Sequence, residues 1–405
     1  LHKESEGWTT NRAGGMMTGL ERESRNEMPR IVHIITALET GGAEIMLWRL
    51  LSAMDRRFEP HVITLVPDGK IEDRIRGLGI PIDTVDMKRG WPDPLALVRL
   101  RRLLRRIRPH LIQTWMYHAD LLGGLAARMA GGIPVVWGIH HTDLDPGGNR
   151  RSTLWTARIN ARLAPRLARR IVCCSHATYA VHLQAGYPAD RMLVIPNGFD
   201  LAAFRPDPDA RQELRRELGL ETDAPLVGMA ARFHPQKDHR NFVRAAGILG
   251  EKMPRAHYVL WGDGLDSSNS TLCDWIREAG VMDRIHLLGR RDDVSRILAA
   301  QDVATLSSSY GEAFPLVIGE AMACGVPCAV TRVGDAAEIV GDTGRIVCPR
   351  DPAALAEAWG DLLAMSGPER EALGSVARRR IEENYALGKV AGLYGNLYEE
   401  VLKKN

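Results

Sequence analysis

Two doubly wound α/β domains facing each other across a cleft are what this sequence predicts, on three observations. The chain has 405 residues, 45% of them hydrophobic and 25% charged, more than one ordinary core accommodates and enough for two. Short β-branched runs alternate with amphipathic stretches, the rhythm of parallel strands joined by crossover helices. That rhythm pauses at Ile195-Pro196-Asn197-Gly198-Phe199-Asp200 and at Arg205-Pro206-Asp207-Pro208-Asp209, where Pro, Gly and Asp suit turns and a chain reversal.

Residues 1–28 are polar and charged, without the apolar run of a secretory signal, and read as a disordered leader. With Met28 directly before the first strand pattern, that leader reads as an upstream extension of the natural start. Strands are expected at 31–35, 61–65, 111–114, 135–137 and 171–173, with helices at 43–54, 94–107 and 119–130, where apolar residues recur every three or four positions. This series makes a first domain over residues 29–205. A second series, with strands at 226–231, 257–261, 285–287, 303–306 and 328–331, makes a second over 206–385. A final helix over 386–405 is expected to return to the first domain. Ligands of such sheets bind beyond the carboxyl ends of the strands, so the cleft between two of them is where motifs belong.

Bulk properties exclude several classes. A net charge of +3 gives little reason to expect nucleic-acid binding. No stretch reaches the roughly 18 consecutive apolar residues of a membrane span. The six cysteines, at 173, 174, 273, 324, 328 and 348, have no zinc or disulfide spacing and fit a reducing, cytoplasmic compartment.

The most informative segment runs Ser309-Tyr310-Gly311-Glu312-Ala313-Phe314-Pro315-Leu316-Val317-Ile318-Gly319-Glu320-Ala321-Met322-Ala323-Cys324-Gly325, with seven residues between its two glutamates. Pro315 is expected as the first helical residue and Gly325 just past the end, so 316–324 is a short helix whose first amides suit a diphosphate. Glu312 precedes the helix and Glu320 lies inside it, so the two would meet different parts of one elongated ligand, sugar and ribose. The bland alternative is a solvated Glu312 and a Glu320 that caps a buried network. Upstream, Arg232 and Lys237 stand five residues apart at the end of a strand, in Ala231-Arg232-Phe233-His234-Pro235-Gln236-Lys237, two fixed cations suited to a diphosphate.

Taken together these residues resemble the large retaining glycosyltransferase family, family four or group 1, that includes bacterial lipopolysaccharide, capsule and mannosyl-lipid enzymes. The likeness extends to Gly41-Gly42-Ala43-Glu44, where glycine permits close approach of backbone amides to donor or acceptor. It extends also to Pro196-Asn197-Gly198-Phe199-Asp200, where the family more often has Val for Phe199, and to Trp261-Gly262-Asp263-Gly264. The resemblance implies the GT-B fold, two Rossmann-like domains, and a hexosyltransferase. It implies catalytic roles for His140, Arg232, Lys237 and Glu312, with Arg232 and Lys237 neutralising the departing diphosphate. Donor contacts would come from Gly41, Gly42, Gly262, Gly264, Phe314, Pro315, Leu316, Val317 and Glu320, the last holding the ribose hydroxyls. The match around Trp137-Gly138-Ile139-His140-His141 is loose, and His141 competes with His140 for the place near the sugar.

Partners implied are a nucleotide-diphosphate sugar, UDP-linked by preference, and a glycan or lipid-linked acceptor. No cofactor is expected. Asp143-Leu144-Asp145 looks like a metal motif but reads as a structural loop, and His118, His140 and His141 lack ligand spacing, so transfer is expected to be metal-independent. Arginines 99, 101, 102, 105, 106 and 108 crowd the basic helix 94–108, and Arg158, Arg162, Arg166, Arg169 and Arg170 form a second stretch. These suit peripheral docking on an anionic membrane surface, although a solvated face above a core-facing stripe is the commoner reason for such a pattern. Two other functions share the architecture: a nucleotide-sugar epimerase, and a non-catalytic partner of a transferase. The lack of Gly-x-Gly-x-x-Gly after either first strand argues against a dehydrogenase.

Overall fold

The computed structural model describes residues 28–88, 93–144 and 151–404. The leader expected over 1–28 lies outside them apart from Met28, as does Asp145 of the acidic motif.

In the first half β1 (Arg30–Ile35), α1 (Gly42–Ala53), β2 (Glu59–Thr64), α2 (Glu72–Arg76) and β3 (Ile82–Thr84) build one wing. The other wing is α3 (Leu95–Ile107), β4 (Leu111–Trp115), α4 (Tyr117–Met129), β5 (Val135–Ile139), α5 (Arg151–Leu167), β6 (Arg170–Cys173), α6 (His176–Gln184) and β7 (Met192–Val194). The seven strands are parallel in the order β3-β2-β1-β4-β5-β6-β7. The central strands read as continuous apolar runs because helices cover both faces.

The second half contains α7 (Pro208–Glu217), β8 (Leu226–Ala230), α8 (His239–Lys252), β9 (His257–Trp261), α9 (Ser270–Glu278), β10 (Ile285–Leu287) and α10 (Val294–Ala299). Then come β11 (Val303–Leu306), α11 (Leu316–Ala323), β12 (Cys328–Thr331), α12 (Ala336–Val340), β13 (Arg345–Val347), α13 (Pro352–Ala364) and α14 (Gly367–Asn384). Its six parallel strands run β10-β9-β8-β11-β12-β13. Among the described residues the edge strands β3, β7 and β13, three residues each, are additions to the expected set.

The final helix α15 (Leu387–Lys403) returns to the first half, where Val390, Tyr394, Leu397, Tyr398 and Val401 join α1 in covering one face of its sheet. The chain crosses between halves at Phe199, whose N–H donates to the Tyr385 carbonyl and whose carbonyl accepts from Leu387. Strand order reverses between β1 and β4 and between β8 and β11, so each sheet opens a crevice at those carboxyl ends.

Candidate functional site

The loops at the two crevices carry most of the residues that sequence singled out. After β8 the chain passes Arg232 and a single 3-10 turn, Pro235–Lys237, before Asp238 caps α8 by accepting from Asn241 N–H. Lys237 Nζ lies 2.5 Å from Glu312 Oε1, and Ser308 Oγ donates to the same oxygen at 2.5 Å. Gln236 accepts from Ser309 N–H at 2.8 Å, which fastens the loop after β8 to the loop after β11. Glu312 is buried, and its carbonyl accepts from Thr142 Oγ1 of the first half at 2.9 Å. Gly334 lies so close beneath Glu312 that any Cβ there would collide with its carbonyl.

Arg232 is exposed, and its charge is felt nearby: burial, then Arg232 and Lys237, hold His234 below its ordinary value. The loop carrying Arg232 is braced by the turn after β9, where Phe233 N–H donates to the Asp263 carbonyl at 2.7 Å. Gly262 and Gly264, at φ 138° and 75°, allow this, since a Cβ on Gly262 would strike the Ala231 carbonyl. Their visible work is to bring the two loops together.

Helix α11 starts at Leu316, as expected, but Pro315 is not part of it. Pro315 has ψ 98°, extended rather than helical, so it is the cap and Leu316 the first helical residue. Gly325 lies just past the end at φ 77°. The N–H groups of Leu316 and Val317 have no helical acceptor, as at any helix start, and both residues are half-buried. Gly42 opposes them across the cleft, where a Cβ would sit 3.8 Å from Leu316 Cδ1. Phe314 is committed to the core, its ring 6.0 Å from Phe199 and 5.6 Å from Tyr385, so any donor contact it makes is through its main chain. Glu320 pairs with Arg49 of α1 at 2.5 Å, both largely buried.

In the first half Gly41 caps α1, and the Glu44 carboxylate folds back over it; burial raises the Glu44 pKa. His140 follows β5 and stacks on Trp115, centroids 5.0 Å apart and planes 24° from parallel. Both its ring nitrogens are buried and without a hydrogen-bond partner among the described residues, and burial pushes its pKa down to about 4. It is therefore neutral at physiological pH. His141 instead meets the edge of Tyr117, centroids 6.1 Å apart. Asp143 faces the other half: a Cβ on Gly311 would lie 3.5 Å from its Cβ.

The structure thus brings Lys237, Glu312 and Ser308 into direct contact and sets the starts of α1 and α11 opposite each other. His140 reaches this group only through the chain, two residues before Thr142. Arg49, Ser308, Thr142 and Asp335 were not anticipated. Asp335 bridges the halves by accepting from the N–H groups of His176 and Ala177 at the start of α6, at 2.7 and 2.8 Å. Only Arg49 had a signal in the sequence, a charge within Leu47-Trp48-Arg49-Leu50-Leu51 on a helix face that should be apolar.

Known proteins are similar to this chain. Residues 40–203 match the family described as Glycosyltransferase Family 4, and residues 210–380 match Glycosyl transferases group 1. The chain is 29% identical to the "Putative glycosyltransferase EpsF" of Bacillus subtilis (strain 168), over 75% of this chain and 79% of that protein. It is 32% identical to the "GDP-mannose-dependent alpha-(1-6)-phosphatidylinositol monomannoside mannosyltransferase" of Mycolicibacterium smegmatis, over 71% of this chain and 75% of that one. In three dimensions it resembles Anabaena Alr3699/HepE, solved in complex with UDP and glucose, with TM-score 0.80 and 24% identity over 92% of this chain and all (100%) of that chain.

Proposed function

The chain belongs to the group 1 glycosyltransferases of family 4, and from that premise we propose that it moves a hexose from a nucleoside diphosphate sugar to a glycan or lipid-linked acceptor with retention at the anomeric carbon. Residues 206–385 then form the donor side and residues 29–205 the acceptor side. The observation that carries this reading is the junction of Lys237, Glu312 and the open amides of α11 at the switch point of the second sheet.

Breaking the bond from the anomeric carbon to the diphosphate leaves its electron pair on the departing phosphate oxygen. Lys237, Arg232 and the first amides of α11 stabilise that charge. Glu312, held by Lys237 and Ser308, accepts a hydroxyl of the transferred sugar rather than attacking it. With no free carboxylate serving as nucleophile, the acceptor hydroxyl enters on the face the diphosphate leaves, and its proton passes to the departing phosphate oxygen. Neutral His140 serves as a hydrogen-bonding group at the sugar, not as a cation. Lys237 and Arg232 supply positive charge without a metal.

Membrane docking rests on part of the basic helix. Arg99, Arg101 and Arg106 are occupied by Asp93 and Val85, by the Met129 carbonyl and by Asp83. Arg102, Arg105 and Arg108 are exposed and remain for anionic lipid. No helix among the described residues is long and apolar enough to cross a membrane.

The Mycolicibacterium relative is named for GDP-mannose, whereas the Anabaena structure holds UDP, so the nucleobase must be found by experiment. A UDP-sugar is our preference. A screen of UDP-, GDP- and ADP-sugars, with and without membrane lipid extract, is expected to show acceptor-dependent release of one nucleotide. Release without acceptor would favour an epimerase, and none with any donor a non-catalytic partner.

A further inference from the structure

The geometry points to Arg49 as a positioning residue for the donor: it orients Glu320 toward the ribose and makes that carboxylate competent only when the first half is in place. This rests on the ribose role of Glu320 proposed above.

Arg49 is 5% exposed on α1, the helix that begins at Gly42. It stands where three segments meet. One guanidinium nitrogen lies 2.5 Å from Glu320 Oε1, and its Cζ sits 5.4 Å from the Phe204 ring centroid, in the segment that joins the halves. Its other terminal nitrogen, Nη1, is buried with no acceptor among the described residues. A buried arginine with an unmet N–H is costly to keep, and a buried ion pair adds little stability over apolar packing of the same volume. Interdomain adhesion alone is therefore a weak account of it.

The donor site supplies a better one. Arg49 takes one oxygen of Glu320; the second oxygen carries no hydrogen bond among the described residues, and the side chain keeps 11% of its surface accessible. That oxygen is the acceptor a ribose hydroxyl needs, and the charge-assisted contact from Arg49 Nη2 to Oε1 holds the carboxylate from its other side. Nη1 stays buried and without an acceptor among the described residues, so its N–H groups are left for a bridging water or a rearrangement on binding. Because the two residues come from different halves, nucleotide binding and closure of the cleft are linked, and each must strengthen the other.

The test is nucleotide binding by isothermal titration with UDP and GDP, together with donor KM and kcat, on Arg49→Met, Arg49→Lys, Glu320→Gln and the double variant Arg49→Met/Glu320→Gln. Melting temperature is followed in parallel. Arg49→Met should weaken the nucleotide and raise donor KM by roughly 5- to 150-fold, with kcat at saturating donor much less affected. Arg49→Lys, which keeps the charge but loses the fork, should fall between it and the parent, and carries the same test should Arg49→Met not fold. In the Glu320→Gln background, Arg49→Met should add nothing.

Parent-like affinity in the Arg49 variants, with Glu320→Gln weakened, would overturn this inference alone. So would additive losses, or a lower melting temperature with unchanged binding. Parent-like affinity in Glu320→Gln would remove the ribose role itself, and this inference with it.

Discussion

The two halves share one architecture yet treat their polar groups differently. On the donor side Lys237, Glu312, Ser308, Gln236 and Ser309 are joined in short, satisfied contacts, and glycines bring the loops close enough to make them. In the first half the strands β1, β4 and β5 and the residues just beyond carry His33 Nε2, Gln113 Oε1, Trp137 Nε1 and both nitrogens of His140, all buried and without a partner among the described residues. In the second half His239 Nε2, Asn241 Oδ1 and Gln301 Oε1 are in that state. The lesson is chemical. On the proposed function, a diphosphate would be met by a prebuilt set of charges and amides, and an acceptor hydroxyl by neutral groups that water or substrate must complete.

The comparison breaks most sharply at Lys237. Lys237→Ala should lower kcat/KM on the order of 10²- to 10³-fold, the loss usual for one electrostatic donor at a developing charge, while leaving the first half folded. Steady-state kinetics beside a melting curve check both parts.

Acid should distinguish the halves next. Burial holds His33 at about 3, and His140, His182 and His239 at about 4, against 6.5 for a free imidazole. The unfolded chain therefore takes up protons first. The stability these groups confer is complete above pH 6.5 and is lost as pH falls from 6.5 toward 4 for His140, His182 and His239 and on toward 3 for His33, changing no further below that. Three of the four lie in the first half, so hydrogen exchange at pH 5 should rise there more than around β8 and β9. Equal loss in both halves would go against the distribution of buried histidines.

A smaller effect is expected at the seam. Gly319 of α11 lies against the ring of Phe199, and a Cβ would collide with it. The absence of a side chain at Gly319 is what makes room for the Phe199 ring. Gly319→Ala should cost about 1–3 kcal/mol of stability, and adding Phe199→Val should restore much of it. Denaturant midpoints of the two single variants and the double will tell, additive losses being the contrary result. The smallest expected effect is none: with Lys237 and Arg232 as the cations, a chelator such as EDTA should leave the transfer rate unchanged.

The fold was legible because its strands are buried on both faces and stand out as apolar runs, as in Arg30–Ile35 and His257–Trp261. The edge strands Ile82–Thr84, Met192–Val194 and Arg345–Val347 escaped, three residues being few to show a period, although the equally short edge strand Ile285–Leu287 was legible. Pro315 misled by one position, since proline suits the first helical residue as well as the cap. Within the candidate site, Glu312 and Lys237 could be named through their motifs and the family resemblance, but not that they touch. Contacts such as Asp335 with the start of α6, or Thr142 with the Glu312 carbonyl, join residues far apart in sequence and leave no local pattern.

The central claim, that the second half recognises the diphosphate while the first attends to the sugar and acceptor, is tested most directly by titrating the released nucleoside diphosphate into the parent protein, Lys237→Ala and His140→Ala. Binding should weaken at least about tenfold in Lys237→Ala, as for loss of a charge-assisted contact, and stay close to the parent in His140→Ala. Equal weakening in both, or in His140→Ala alone, would contradict that division of labour.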